Sequence, residues 1–89
     1  MRITILLADD HAVVRDGLRS LLNSQPDLEV VCDVGNGREA INQALEYCPD
    51  IAILDIAMPE LNGIEAARQI QEICEFTKII IDSLKYTLL

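Results

Sequence analysis

Two rhythms of apolar residues alternate along the chain. Ile3–Ala8 (ITILLA) is a continuous apolar, β-branched run, the pattern of a strand buried on both faces. From His11 the period changes. Val13, Val14, Gly17, Leu18, Leu21 and Leu22 recur at spacings that share one helical face, with Asp10 placed to cap the helix and Gln25-Pro26-Asp27 closing it. Leu28–Val34 (LEVVCDV) predicts a second strand, more polar and therefore nearer a sheet edge. Asn36-Gly37-Arg38-Glu39, a cap residue with an acid three positions on, then opens a helix with Ala40, Ile41, Ala44, Leu45 and Cys48 inward, which stops before Pro49.

The stretch 51–63 (IAILDIAMPELNG) organises the rest. Its apolar run ends abruptly in Asp55, and Pro59 bars continuation as regular strand, so the carboxylate sits at a strand's carboxyl end. Asn62-Gly63-Ile64-Glu65 repeats the helix opening, predicting a helix that buries Ile64, Ala67, Ile70 and either Ile73 or Cys74, with Arg68 and Gln71 facing water. Residues 77–83 (TKIIIDS) predict a fourth strand, and the final residues have too little pattern to assign. Strands alternating with helices imply βαβ units, right-handed crossovers and one doubly wound α/β layer with a parallel sheet. The apolar fourth strand has no further strand-helix unit after it, so a domain that is truncated, or completed by a partner at an exposed edge, is expected.

Composition narrows the picture. A chain of 89 residues supports one small domain with a thin core, aliphatic because only Phe76, Tyr47 and Tyr86 are aromatic. A formal charge of -8 repels a phosphate backbone, which argues against DNA binding by this chain alone. Cys32, Cys48 and Cys74 form no CxxC spacing and fit inert packing in a reducing compartment better than disulfides or zinc. No apolar stretch is long enough to span a bilayer, and the N-terminus does not read as a signal peptide, so the cytoplasm is the default.

The first strand ends in Asp9 and Asp10, the third in Asp55. Any one of them could be a turn former or a cap. As neighbours at the carboxyl ends of parallel strands they would converge where such sheets bind ligands. Carboxylates about 5 Å apart repel by roughly 3 kcal/mol per pair at an effective dielectric of 20, so the cluster calls for a proton or a cation. Mg²⁺ suits it, taking one or two carboxylates, keeping waters and accepting phosphate oxygens; an Asp beside it can act as a nucleophile toward phosphorus. Ser83, after the fourth strand, either caps a turn or donates its hydroxyl to a phosphoryl group on Asp55.

The acidic pair after strand one, DIAMPELNG around Asp55 and a hydroxyl after strand four together resemble the receiver domain of a bacterial two-component response regulator, over nearly the whole chain. DDHAVVRDGLRSLL and DIAMPELNGIEAARQI are most similar to the subfamily joined to a helix-turn-helix (LuxR-type) transcriptional output domain, which is absent from residues 1–89. The resemblance implies a flavodoxin-like sheet of four strands and three helices in order 2-1-3-4, incomplete after the fourth strand. It implies that Asp55 accepts phosphate from a cognate histidine kinase, that Asp10 binds Mg²⁺ directly and Asp9 mainly through water, that Ala57 offers a backbone carbonyl to the metal, and that Ser83 is the switch hydroxyl. It further implies a signalling switch rather than an enzyme, a homodimer, and contact with DNA only through the output domain.

The family's Lys-bearing fifth strand has no counterpart, and Lys85 cannot be assumed to replace it. Asp82 is unexpected in an apolar strand and marks either a polar edge or a departure from the family's course. His11 either lies at the mouth of the site or stands in solvent at a helix start. The alternative function is a degenerate receiver that serves as an assembly module through its exposed fourth strand. A Mg²⁺-dependent phosphohydrolase would commonly carry a second Asp where this chain has Ala57, and a nucleotide binder would need a glycine-rich loop in place of DDHAVV.

Overall fold

In a computed structural model describing residues 2–82, four parallel strands lie in the order β2-β1-β3-β4. The elements are β1 (Ile3–Ala8), α1 (Ala12–Asn23), β2 (Leu28–Val34), α2 (Gly37–Tyr47), β3 (Ile51–Asp55), α3 (Gly63–Ile73) and β4 (Lys78–Asp82). The expected flavodoxin-like α/β order is observed, with β1 and β3 central and the more polar β2 at an edge. No helix among the described residues is long and apolar enough to cross a membrane.

The direction in which strands are added to the sheet reverses between β2 and β3, and this divides the helices. Right-handed crossovers put α2 and α3 on one face, where they pack on each other, and α1 on the opposite face. The core lies beneath the helix pair: Leu6, Ala8, Ala52 and Leu54 from the sheet meet Ala40, Ile41, Ala44, Ala66 and Ile70. Ile5 and Leu7, alternating with these, are buried toward α1.

Both predicted Asn caps are in place. The Asn36 side chain accepts from the Glu39 amide at 2.8 Å, and that of Asn62 from the Glu65 amide at 2.9 Å. The shared glycine has a common cause. A Cβ on Gly63 would stand 2.2 Å from the Asp55 carbonyl oxygen, and one on Gly37 2.0 Å from the carbonyl oxygen of Leu61. Both helices therefore begin by pressing bare backbone against the segment that runs from Asp55 to Asn62.

Several expectations need correction. In α3 the buried positions are Gly63, Ala66 and Ile70, while Ile64 is 56% exposed and Ala67 only partly buried; of the two alternatives at its end Cys74 is the inward one and Ile73 faces outward. At the start of the helix, close approach to β3 selects small residues, and Ile64 turns away, while Ile70 further along is fully buried. Leu45 of α2 is likewise exposed, and α1 buries no residue fully, with Val13 at 86% exposure, because among the described residues no other helix shares its face. The cap of α1 also differs. The N-cap residue is His11, with no side-chain cap bond, and Asp9 rather than Asp10 receives the His11 amide, at 2.8 Å.

Cys48 and Cys74 do not pack as inert thiols. They are joined by a disulfide. Cys32 is free and half-buried, and burial, with a smaller contribution from the Asp33 charge, pushes its thiol up to about 11.

Candidate functional site

Asp9 and Asp55 occupy the carboxyl ends of the two central strands because each apolar run stops at its acid. β1 and β3 pair from Ile5 opposite Ile51 to Ala8 opposite Leu54, so both acids leave the sheet at the same level. Asp9 is 2% and Asp55 1% exposed, whereas Asp10 sits at the rim. One ligand atom from each of Asp9, Asp10, His11 and Asp55 lies within 4.8 Å of the others. The convergence expected of the three acids is therefore observed, and His11 joins them.

Several contacts hold this arrangement. The Asp9 amide donates to the Val34 carbonyl of β2 at 3.1 Å, and its own carbonyl accepts from Arg15 at 2.8 Å. Asp33, at the end of β2, pairs with Arg15 at 3.4 Å and Arg19 at 2.9 Å, tying α1 to that edge. The imidazole Nδ1 of His11 stands 2.9 Å from Asp10 Oδ1 and 3.4 Å from Asp9 Oδ1. A helix-start histidine carried too little sequence signal to decide between solvent and site. Its position directly after two acids was the available clue.

The segment after Asp55 is folded tightly. The Ala57 amide lies 3.4 Å from Asp55 Oδ1, the Gly63 amide donates to the Ile56 carbonyl at 3.0 Å, and Leu61 donates to the Pro59 carbonyl at 2.7 Å across Glu60, whose φ of 69° is left-handed. Met58 is buried beneath it. Asp82 pairs in register with Asp55, and its carbonyl accepts from the Ile56 amide at 3.3 Å, so the polar residue that ends β4 lies beside the end of β3. Ser83 and Lys85 lie outside the described residues.

Three carboxylates with a single imidazole at the rim form a hard, oxygen-dominated donor set. Such a set fits Mg²⁺ better than the softer metals that favour thiolate or several imidazoles. An open cleft of about 340 Å³ lies elsewhere, beside Cys48, Cys74 and Phe76 at the opposite end of the sheet, and takes no part in the acid chemistry.

The sequence model of the response regulator receiver domain matches residues 5–87. The transcriptional regulatory protein LiaR of Bacillus subtilis is 42% identical over 79 residues, covering 89% of this chain and 37% of its own length. A protein-glutamate methylesterase/protein-glutamine glutaminase of Carboxydothermus hydrogenoformans is 44% identical over 69 residues, which are 78% of this chain and 20% of the relative. Among solved structures, a LuxR-family DNA-binding response regulator from Staphylococcus aureus superposes with a TM-score of 0.83 at 29% identity, covering 97% of this chain and 75% of that one. The chain thus spans little more than a third of one curated relative and a fifth of the other, and one of those relatives is named a transcriptional regulator and the other an esterase/glutaminase.

Proposed function

This chain belongs to the response regulator receiver domain family, and from that premise we propose that it is a Mg²⁺-dependent signalling receiver that accepts a phosphoryl group on Asp55 from a histidine kinase. The observation that carries the reading is the gathering of Asp9, Asp10 and Asp55 within 4.8 Å at the carboxyl ends of β1 and β3. Receivers bind Mg²⁺ at an acidic pocket of this kind. Here Asp10 would hold the ion directly, Asp9 mainly through water, and Asp55 and the Ala57 carbonyl would complete the protein's share. When bound, the ion supplies positive charge that lets a phosphoryl donor approach three carboxylates.

The chain's own residues do the rest. An Asp55 oxygen forms the new bond to phosphorus as the phosphorus–nitrogen bond to the donor imidazole breaks, and the imidazole keeps the electron pair and takes up a proton. Burial of Asp55 limits the water that can reach the product. The Ser83 hydroxyl would turn toward the phosphoryl group, and the new dianion favours the loop arrangement that satisfies it. The role is that of a switch rather than an enzyme. It acts in the cytoplasm, as a homodimer, on transcription through a helix-turn-helix output domain that alone touches DNA.

Incubation with acetyl phosphate and Mg²⁺ tests the site. Labelling is expected on the wild-type chain and lost in Asp55→Asn, and a label that persists on another residue overturns the assignment. A second reading, an assembly module joined through β4, is favoured by one observation: among the described residues β4 stands at the end of the strand order, with Ile80 49% exposed.

A further inference from the structure

The Cys48–Cys74 disulfide stands at the end of the sheet away from the acids. It follows α2 and α3 and precedes β3 and β4. The two residues are 26 apart in sequence, so the bond closes a covalent loop around β3, Asp55 and all of α3. The two residues are unequally placed, since Cys48 is exposed and Cys74 is 5% exposed. The cleft of about 340 Å³ opens onto the bond between Pro49, Ile73, Phe76 and Thr77. Cys48 also occupies the C-cap of α2 with φ 36° and ψ 68°, a left-handed position where glycine is the default, and directly precedes a proline. A β-carbon is unfavourable there, and its sulfur is what reaches α3.

We propose that Cys48–Cys74 is a thiol-exchange site, opened by a dithiol reductant that enters through the cleft, and that its opening releases the C-terminal ends of α2 and α3 from each other while the sheet stays formed. The reductant's thiolate attacks the Cys48 sulfur, the bond between the cysteines breaks, and Cys74 leaves with the electron pair and takes up a proton. The reductant's second thiol then attacks the mixed disulfide, freeing Cys48 as a thiol. Two electrons pass from the dithiol, which ends as a disulfide.

Other contacts explain why the sheet survives. Asp50 Oδ2 accepts from the Thr4 amide at 2.8 Å, Thr77 Oγ1 donates to the Pro49 carbonyl at 2.6 Å, and Lys78 donates to the Asp50 carbonyl at 2.9 Å. The turn after Cys48 therefore stays fastened to β1 and β4 when the covalent bond is gone. Cys32 is a poor rival nucleophile, because its thiol is held up at about 11. The inference is independent of phosphoryl acceptance, and labelling of Asp55 is not its readout.

The test uses the whole chain of residues 1–89 with dithiothreitol under native conditions. Alkylation after denaturation should find one thiol in the air-exposed protein and three in the reduced one. The thermal midpoint should fall by about 10 °C on reduction. Amide exchange at the ends of α2 and α3 should speed by about tenfold or more while β1 and β3 stay protected. A C48S/C74S double variant should match the reduced protein and ignore dithiothreitol. Three free thiols in the air-exposed protein, reduction only as fast as global unfolding, or a double variant as stable as the oxidised protein would each overturn the proposal.

Discussion

Asp10 is the member of the acid cluster that can be altered without leaving a buried hole, because it lies at the rim while Asp9 and Asp55 are enclosed. Its charge nonetheless faces theirs across the gathered ligand atoms. Without metal, Asp10→Asn should raise the thermal midpoint, by the equivalent of about 1 kcal/mol after allowance for solvent screening and for the weakened contact with His11. With Mg²⁺ the order should reverse. The wild-type chain gains about 2.7 kcal/mol at a hundred times its dissociation constant, and the variant gains little. Thermal scans with chelator and with MgCl₂ check both signs, and a variant that loses stability without metal removes the repulsion argument. At this scale the sequence exposed the acids only as a group, since any one carboxylate ending an apolar run reads as a turn former or cap, and three at neighbouring strand ends do not. It left His11 undecided, because its part depends on which way one turn faces.

Helix openings were legible at α2 and α3, where an Asn with a Glu three residues on became the predicted cap. The faces of the helices were less so. Periodicity weighted by side-chain size chose Ile64, while close approach to β3 chose Gly63 and Ala66. That reversal yields a prediction of opposite sign at two helical glycines. Nothing lies within 4 Å of a Cβ placed on Gly17, so Gly17→Ala should stabilise the chain by about 0.5 to 1 kcal/mol through helix propensity. Gly63→Ala must push the Asp55 carbonyl away and should cost about 2 kcal/mol or more, with slower labelling because the displaced backbone carries the acceptor. Urea titrations of the two variants are the check, and a neutral Gly63→Ala contradicts the close contact. The disulfide was illegible for a related reason. Its cysteines meet only because α2 and α3 pack side by side, which no spacing rule records.

The fold order was readable from the alternation of strand and helix together with the family resemblance, but the distribution of exposed apolar surface depends on what lies beside each face in space. Ile80 on edge strand β4 and Val13 on α1 are therefore findings of the structure. Among the described residues β4 is an edge strand, and an edge strand can pair with another chain, against which stands the mutual repulsion of two molecules each carrying -8. Salt decides between them, because at about 0.1 M the Debye length is only about 10 Å and most of that repulsion is screened while pairing at the edge is not. Sedimentation at several concentrations should accordingly show association that strengthens with salt and is lost in Ile80→Lys, whose charge interrupts the apolar edge. If phosphorylation is the controlling event, Mg²⁺ with a phosphate mimic should shift the association constant. Association indifferent to that ligand would leave β4 pairing as the function, and a chain monomeric under every condition would remove it.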